Sequence, residues 1–508
     1  MMSQKNNLSE KSIPSVVIGR GNILKNRLSA VLQQKTGIPG LDEVLNGGLP
    51  KYTLTLLSGT SGTGKTVLSF QWLFDGVKRG ENGIYISITE PLFMIVRNIE
   101  SMTFYDRKAI EQKKLRLFDF KEGLGLDYEK IDTQAILRNI EKHIKENNVK
   151  RLVIDSITAV LYTINDKAKI KQFIFELKKI LATLGCVTIL TSECSETSKY
   201  SAYGVEEFVS DGIISLSNNI GENQIIRNLQ VIKMRGIDFR TGAVIFDITS
   251  SGILLYPKIP IDRSVATTEF KIRLGSGIKE LDALCDGGND GFPQGHVIMV
   301  AGNTGSGKTT FALHFIVEGL KNGESGVYVV LEESSSQIRK TALEHGWDLK
   351  KYEKSGKLIF ISPDLIDLNS DKLLYSILTA VNKIGATRLI LDSVSSLESA
   401  TMNKVKVREF LIQFSGFMKT NGATSMLTYL SEEAFGAELG QLLGGESSSE
   451  LRLSSIVDGI ILLRYVEREQ SVVKLLNILK MRGAAHSKNI WQFEIDKDGV
   501  KIGSIFKK

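Results

Sequence analysis

The stretch Thr53-Leu-Thr-Leu-Leu-Ser-Gly-Thr-Ser-Gly-Thr-Gly-Lys-Thr66 decides the fold of the first half of the chain. Its apolar start, residues 53–58, predicts a buried β-strand, and residues 66–77 predict the helix that follows. Between them lies the pattern G-x-x-x-x-G-K-[ST], a loop whose backbone N–H groups and helix N-terminus face a phosphate chain. This order of strand, glycine-rich loop and helix predicts a nucleotide-binding α/β domain.

A second copy of the same pattern, Gly302-Asn-Thr-Gly-Ser-Gly-Lys308-Thr309, follows the apolar run 297–301. In each copy the lysine would neutralise the terminal phosphates of ATP and the threonine hydroxyl would hold magnesium. A chance glycine-rich turn is the alternative, and the matched context of the two copies disfavours it. The predicted nucleotide ligands are Gly59, Thr60, Ser61, Gly62, Thr63, Gly64, Lys65 and Thr66, together with Gly302, Asn303, Thr304, Gly305, Ser306, Gly307, Lys308 and Thr309.

An internal repeat organises the whole chain. Thr36-Gly-Ile-Pro-Gly-Leu-Asp42 returns as Leu274-Gly-Ser-Gly-Ile-Lys-Glu-Leu-Asp282, and similar segments follow both copies in the same order. A repeat this long indicates duplicated domains, since solenoid repeats are much shorter. Short β-branched runs alternate with helical segments, which predicts two tandem P-loop NTPase domains of the α/β class, each a mostly parallel sheet flanked by helices.

The predicted strands fall at matching places in the two copies. They are residues 53–58, 83–88, 152–155 and 187–191 in the first copy, and 297–301, 326–331, 389–392 and 424–429 in the second, where a final strand is predicted at 490–495. We predict a flexible N-terminal extension over residues 1–34, a first domain over 35–258 and a second over 259–508.

The composition of the 508 residues narrows the class of protein. The formal net charge is only +7, and the lysines are spread among glutamates, so nucleic acid is not an expected partner. The three cysteines form no C-x-x-C pair, which predicts neither a disulfide framework nor a zinc site. No apolar run reaches the ~18–20 residues that span a bilayer. We therefore expect a cytoplasmic protein that does not bind a membrane.

Acidic side chains follow two apolar strands in each copy. Asp155 and Asp392 end the runs Arg-Leu-Val-Ile-Asp and Arg-Leu-Ile-Leu-Asp, where a carboxylate orders magnesium together with Thr66 or Thr309. A strand-end cap is the alternative for each aspartate.

The strand between the P-loop and this aspartate ends differently in the two copies. Thr89-Glu90 stands in the first copy and Glu332-Glu333 in the second. A carboxylate there can orient or deprotonate a nucleophile beside the γ-phosphate, and Glu333 is also a candidate magnesium ligand. A solvated strand end is the alternative, and Thr89 cannot act as a base.

The chain resembles the KaiC family of RecA-like, ring-forming ATPases and autokinases. The resemblance is carried by Tyr203-Gly-Val-Glu-Glu-Phe-Val-Ser-Asp211 with Lys233-Met-Arg235-Gly236, and by Val457-Asp458-Gly-Ile-Ile-Leu-Leu-Arg-Tyr-Val466 with Lys480-Met-Arg482-Gly483. It implies two stacked rings of six subunits with ATP at subunit interfaces, so that Lys233, Arg235, Lys480 and Arg482 reach the γ-phosphate of a neighbouring subunit. From residue type alone, these cations would be solvent-exposed side chains at the ends of strands.

The same resemblance implies a kinase in the second domain. The family's phosphorylated pair falls on Ser454 and Ser455, which would otherwise be polar residues at a strand edge. Ser449 and Glu450 align with a neighbouring regulatory pair. Glu332 would activate the acceptor serines with help from Glu333, and Glu90 would position water in a slower first ATPase.

The resemblance also bears on partners and on competing functions. The chain has little sequence after the predicted strand 490–495, so a KaiA-like activator is not expected, whereas a KaiB-like partner on the first domain is compatible with the sequence. The expected role is clock-like or other signalling by a phosphorylated ring. The alternatives are a RecA- or DnaB-like DNA-dependent ATPase, which would need basic channel loops, and an ATP-gated scaffold with little kinase activity.

Overall fold

The computed structural model describes residues 31–119, 132–164, 166–194, 200–201, 204–220, 225–258, 272–286, 291–366, 368–401, 404–431, 455–468 and 470–507. These residues form two compact units, and each unit contains most of one nine-stranded sheet. Among the described helices, none is both long and apolar enough to cross a membrane.

The strands of the first half are short and are separated mainly by helices. They are β1 (Gln33–Gln34), β2 (Leu49–Pro50), β3 (Leu54–Gly59), β4 (Asn82–Ser87), β5 (Leu115–Asp119), β6 (Val149–Asp155), β7 (Val187–Glu193), β8 (Gly212–Ile220), β9 (Ile225–Met234), β10 (Val244–Thr249) and β11 (Gly252–Leu255). The helices are Leu41–Val44, Lys65–Lys78, Leu92–Ile99, Arg107–Glu111, Thr133–Glu146, Ile157–Ile164, Lys167–Leu184 and Glu206–Val209.

The second half repeats this sequence of elements. Its strands are β12 (Arg273–Leu274), β13 (Phe292–Pro293), β14 (Val297–Gly302), β15 (Gly326–Val330), β16 (Leu358–Ile361), β17 (Arg388–Asp392), β18 (Thr424–Leu430), β19 (Gly459–Arg468), β20 (Ser471–Met481), β21 (Trp491–Asp496) and β22 (Gly499–Ile505). Its helices are Lys279–Asp286, Lys308–Lys321, Ser335–Glu344, Leu349–Lys354, Ser370–Ile384, Val394–Thr401 and Lys404–Asn421.

The two large sheets have the same strand order. The first runs β5-β4-β6-β7-β3-β8-β9-β10-β11 and the second β16-β15-β17-β18-β14-β19-β20-β21-β22. From β5 to β8, and from β16 to β19, neighbouring strands are parallel, and antiparallel pairs such as β9 with β10 and β19 with β20 follow. The predicted α/β fold class is confirmed in both halves.

Alternating side chains of β14 show why helices cover both faces of the second sheet. Val297 and Met299 lie in one apolar cluster, whereas Ile298 and Val300 lie in another on the opposite face. A parallel strand that is buried on both faces needs such a continuous apolar run. The central strand is therefore buried along its length, and its carboxyl end leads directly into the glycine-rich loop.

A buried arginine anchors each half. Arg151 donates to Glu81 at 2.7 Å, to the carbonyl of Trp72 and to the carbonyl of Lys35 at 3.0 Å. Arg388 makes the equivalent contacts with Glu324 and with the carbonyls of Gly275 and Phe315, at 2.7–3.0 Å. Each arginine therefore ties the segment before the first helix of its half to the sheet and to the P-loop helix.

The predicted central strands agree with the observed ones to within three residues at either end. The sequence prediction did not include the short strands β1, β2, β12 and β13, the strands β5, β8–β11, β16, β19 and β20, nor β22, which follows the predicted last strand. Gln33 and Gln34 pair with Leu49–Pro50, and residues 1–30 lie outside the described part of the chain. The proposed domain boundaries stay a prediction.

Candidate nucleotide sites

The first P-loop connects β3 to the helix Lys65–Lys78. Gly62 and Gly64 have φ angles of 77° and 98°, in the left-handed region that favours glycine. Lys65 Nζ donates to the carbonyl oxygens of Gly59 at 2.7 Å and Thr60 at 3.0 Å. Burial lowers the pKa of this lysine, because its ammonium has lost water, and nearby acids such as Asp155 only partly offset that effect. A buried cation held over a glycine-rich loop at a helix N-terminus suits a polyphosphate.

The second P-loop has the same construction. Gly305 and Gly307 have φ angles of 76° and 102°, and a Cβ on Gly307 would clash with Cδ1 of Ile495. Lys308 Nζ lies 3.0 Å from the carbonyl oxygens of both Gly302 and Asn303. Burial also lowers the pKa of Lys308, whereas Glu332 and then Asp392 act to raise it. The predicted ligand loops are thus both formed, and both lysines lie over them.

The strand-end aspartates meet the P-loop threonines as the sequence predicts. Thr66 Oγ1 donates to Asp155 Oδ2 at 3.0 Å, and Thr309 Oγ1 donates to Asp392 Oδ2 at 3.1 Å. Burial raises the pKa of Asp392, against the hydrogen bonds that it accepts. Paired hydroxyl and carboxylate oxygens beside a phosphate loop are the donors that a hard cation such as Mg²⁺ prefers. The residues present therefore fit magnesium at both sites.

Further hydroxyl groups around each aspartate were not predicted from the sequence. Tyr85 and Thr191 donate to Asp155 at 2.5 and 2.6 Å, and Tyr328 and Thr428 donate to Asp392, the tyrosine at 3.2 Å. They come from the two strands that flank the aspartate's own strand. Their residue types recur in both copies, and that recurrence was the only signal in the sequence.

The carboxylates that follow β4 and β15 differ in their surroundings. Glu332 and Glu333 are exposed, and Glu332 accepts a hydrogen bond of 3.1 Å from Ser393. Burial, with the nearby charges of Asp392 and Glu332, raises the pKa of Glu333. In the first half, Thr89 is exposed and Glu90 is half-buried, and the Glu90 backbone carbonyl accepts from Ser87 Oγ. At the second site Glu332, Glu333 and Asp392 therefore lie close to one another and to Lys308, whereas at the first site Asp155 and Glu193 are the carboxylates whose charges act on Lys65.

The Lys-x-Arg cations of the first half lie at the end of the sheet opposite to the P-loop, where the parallel strands begin. Lys233 Nζ donates to the carbonyls of Glu207 at 3.0 Å and Ser210 at 2.7 Å, and the backbone N–H of Arg235 donates to the carbonyl of Asp211 at 2.9 Å. Asp211 in turn accepts from the N–H of Leu54, at the start of β3. The P-loop begins at the end of β3, about 16 Å away at ~3.3 Å per residue. The structure does not bring these cations to the P-loop of their own half.

The second half repeats that separation. Lys480 Nζ donates to the carbonyl of Val457 at 2.6 Å, and Arg482 donates to the carbonyl of Ser455 at 2.9 Å and to Asp458 at 3.3 Å. Asp458 accepts from the N–H of Val297, where β14 begins. Ser455 is exposed and lies beside the start of β14, about one strand length from the P-loop at the end of that strand. Ser454 and the pair Ser449 and Glu450 lie outside the described residues.

Comparison with known proteins places these sites in a family context. A family model described as the KaiC ATPase matches residues 34–259 and again residues 274–506. A circadian clock protein KaiC3 from Synechocystis is 32% identical over 478 residues, which cover 93% of this chain and 92% of that protein. A circadian clock oscillator protein KaiC from Prochlorococcus marinus is 34% identical over 478 residues, with 93% and 91% covered. One from Parathermosynechococcus lividus is 32% identical over 489 residues, with 95% and 87% covered.

Proposed function

This chain belongs to the KaiC family of ATPases, and from that premise we propose that it is an ATP-hydrolysing protein kinase that phosphorylates Ser454 and Ser455 of its own assembly. The second site performs the phosphoryl transfer. The first site binds ATP for assembly and hydrolyses it slowly. The phosphorylation state of the ring then acts as a clock-like or other signal.

The observation that carries this proposal is the cluster of Glu332, Glu333 and Asp392 around Lys308. The charges of Glu332 and Asp392 act on the Lys308 ammonium, and Glu333 interacts with both carboxylates. A base beside the γ-phosphate and a cation on the phosphate chain are the two groups that transfer to a hydroxyl requires. Thr89 at the equivalent place in the first half has no carboxylate, which supports slower chemistry there.

The serine oxygen forms a bond to the γ-phosphorus of ATP while the bond from that phosphorus to the β,γ-bridging oxygen breaks. The hydroxyl proton passes to Glu332, and ADP leaves with the bridging oxygen. Lys308 stabilises the charge on the phosphate oxygens, and Arg482 and Lys480 would do so from another subunit. Magnesium, held by Thr309 and Asp392 with Glu333 as a further candidate, would neutralise the phosphate charge when it is bound.

The proposal requires contact between copies of the chain. Ser455 and Arg482 lie where β14 begins, whereas the P-loop and Glu332 lie where β14 and β15 end. A strand length of about 16 Å separates an acceptor from the base of its own copy. A ring in which the start of one sheet faces the end of the next would bring them together, and family resemblance suggests six subunits. The same separation supports trans roles for Lys233 and Arg235.

A complementation experiment tests the kinase and its trans geometry together. Subunits carrying E332Q keep the acceptor serines, and subunits carrying S454A and S455A keep the base. The chain carrying S454A and S455A should incorporate no phosphate with Mg-ATP, and the E332Q chain alone should do so about 10²- to 10⁴-fold more slowly than the wild type. The mixture should place phosphate on Ser454 or Ser455 of the E332Q chain much faster than E332Q alone, as read by mass spectrometry. Native mass measurement reports the number of subunits.

Two results would reject the proposal. Wild-type protein that carries only unmodified serines after incubation with ATP would remove the kinase. Phosphate incorporation at the wild-type rate by the E332Q chain incubated alone would remove Glu332 as the base.

A further inference from the structure

Ser393 follows Asp392 at the end of β17, and its side chain is completely buried. Its Oγ lies 3.1 Å from Glu332 Oε2 and 2.9 Å from Ser396 Oγ. The backbone N–H of Ser396 donates to the same Oγ at 3.3 Å.

The direction of these hydrogen bonds follows from the groups present. A serine hydroxyl has one hydrogen and two lone pairs. Ser393 accepts the N–H of Ser396 with one lone pair, and it can accept the Ser396 hydroxyl with the other. The hydrogen of Ser393 is then left for Glu332, which has only acceptors when it is ionised. The network therefore points a buried donor at one oxygen of the candidate base.

We propose that Ser393 is a positioning residue for phosphoryl transfer: its buried hydroxyl fixes one carboxylate oxygen of Glu332 and leaves the other for the acceptor serine. This inference rests on the function proposed for Glu332. An exposed glutamate after the end of a strand samples several side-chain rotamers, and ordering it costs entropy. A single hydrogen bond from a rigid, buried group selects the rotamer before the acceptor arrives, which is how a positioning residue raises a rate.

The first half offers a comparison. Ser156 is the residue after Asp155 and is also buried, but the side chain at the position of Glu332 is Thr89. Without a carboxylate, Ser156 has no base to orient. The positioning role is therefore expected only in the second half, and S156A is a matched control that removes the same hydroxyl from the same place in the repeat.

The test is a double-mutant cycle in the full-length assembled protein. S393A should lower the maximum rate of serine phosphorylation by about 10- to 100-fold and leave the KM for ATP unchanged, because the phosphate contacts stay intact. In an E332Q background, S393A should have no further effect on the residual rate. S156A should leave phosphorylation at the wild-type rate.

A second variant guards against simple misfolding. S393C has nearly the same size as serine and only a weak S–H donor, so it should fold like the wild type and lose a comparable share of the rate. Equal losses from S393A in both backgrounds would mean a purely structural role and would overturn the inference. Wild-type rates in S393A and S393C would do the same.

The outcomes separate this inference from the function on which it rests. If E332Q phosphorylates as fast as the wild type, Glu332 is not the base and both proposals fail. If E332Q is slowed about 10²- to 10⁴-fold while S393A and S393C are fully active, the kinase assignment stands and only the role of Ser393 is lost.

Discussion

Two equivalent strands, β4 in the first half and β15 in the second, lead into different side chains. Thr89 and Glu90 follow β4, whereas Glu332 and Glu333 follow β15. The backbone around them is the same: the N–H of Ile88 donates to the carbonyl of Asp155 at 2.8 Å, and the N–H of Leu331 to that of Asp392 at 2.7 Å. The two halves therefore keep the same backbone structure around the phosphate-binding loop, whereas the carboxylates beside that loop differ.

A second pair of residues diverges in the same way, far from the phosphates. Gln71 on the first P-loop helix accepts the N–H of Ile253 in β11 at 2.7 Å, and His314 on the second accepts the N–H of Val500 in β22 at 2.9 Å. Both hold the last strand of their sheet. Only the histidine can lose this role by gaining a proton.

The largest expected effect comes from removing the carboxylate difference. E332T gives the second site the first site's residue, and serine phosphorylation should fall by about 10²- to 10⁴-fold, the usual contribution of a general base. The measurement is the rate of phosphate incorporation at saturating ATP. T89S, which changes the first half without adding a carboxylate, should leave that rate unchanged. An E332T protein with the wild-type rate would place the base elsewhere.

The two buried arginines should contribute equally to the stability of their halves, although the two nucleotide sites differ in chemistry. R388M leaves Glu324 without its main partner and should destabilise the second half by about 3 kcal/mol, and R151M should do the same to the first half through Glu81. Urea unfolding of the full chain measures both.

R107M removes an exposed ion pair with Glu111 and should cause no measurable change in stability. A large difference between the losses in R388M and R151M would contradict the structural equivalence of the two halves.

The P-loop lysines should separate the two activities. K308M should reduce serine phosphorylation by about 10²- to 10³-fold and spare hydrolysis at the first site, and K65M should reduce first-site hydrolysis by a similar factor. Radiolabelled ATP with mass analysis distinguishes free phosphate from phosphoserine. K321M, at the exposed end of the same helix as Lys308, is the control. Hydrolysis that disappears entirely in K308M would mean that the first site is inactive.

The smallest expected effect is the pH response of the His314 contact. Burial lowers the pKa of His314 to about 4, from 6.5 in the unfolded chain. The unfolded state therefore binds a proton first as the pH falls, so stability is lost from about pH 6.5 down to about pH 4. The equilibrium constant for local opening of β22 at Val500 should therefore rise about 30-fold between pH 7.5 and pH 5.

Amide exchange at Val500 in the full chain measures this opening. H314Q copies the first half and should remove the pH-dependent part of the opening, whereas Q71H should introduce a similar pH dependence at Ile253. Equal pH dependence at Val500 in the wild type and in H314Q would show that another group causes it.

Much of the fold followed from local patterns. The first P-loop helix was predicted at residues 66–77 and is Lys65–Lys78, and the strand predicted at 187–191 is Val187–Glu193. Apolar runs, glycine positions and helical periodicity lie within a few residues of one another, so a sequence displays them directly. The antiparallel strands were not predicted because half-buried strands such as β9 alternate weakly and depend on their neighbours.

By itself, the sequence determined the two phosphate loops, the strand-end acids and the single missing carboxylate at Thr89, since each depends on residue type at a short spacing. Only the tertiary structure decided which distant residues meet. Ser393 reaches Glu332 across 61 positions of sequence, and His314 reaches Val500 across 186. The same is true of the separation between Ser455 and its own P-loop. The direction of the parallel strands determines which side chains lie at the same end of the sheet. No local sequence pattern contains that information.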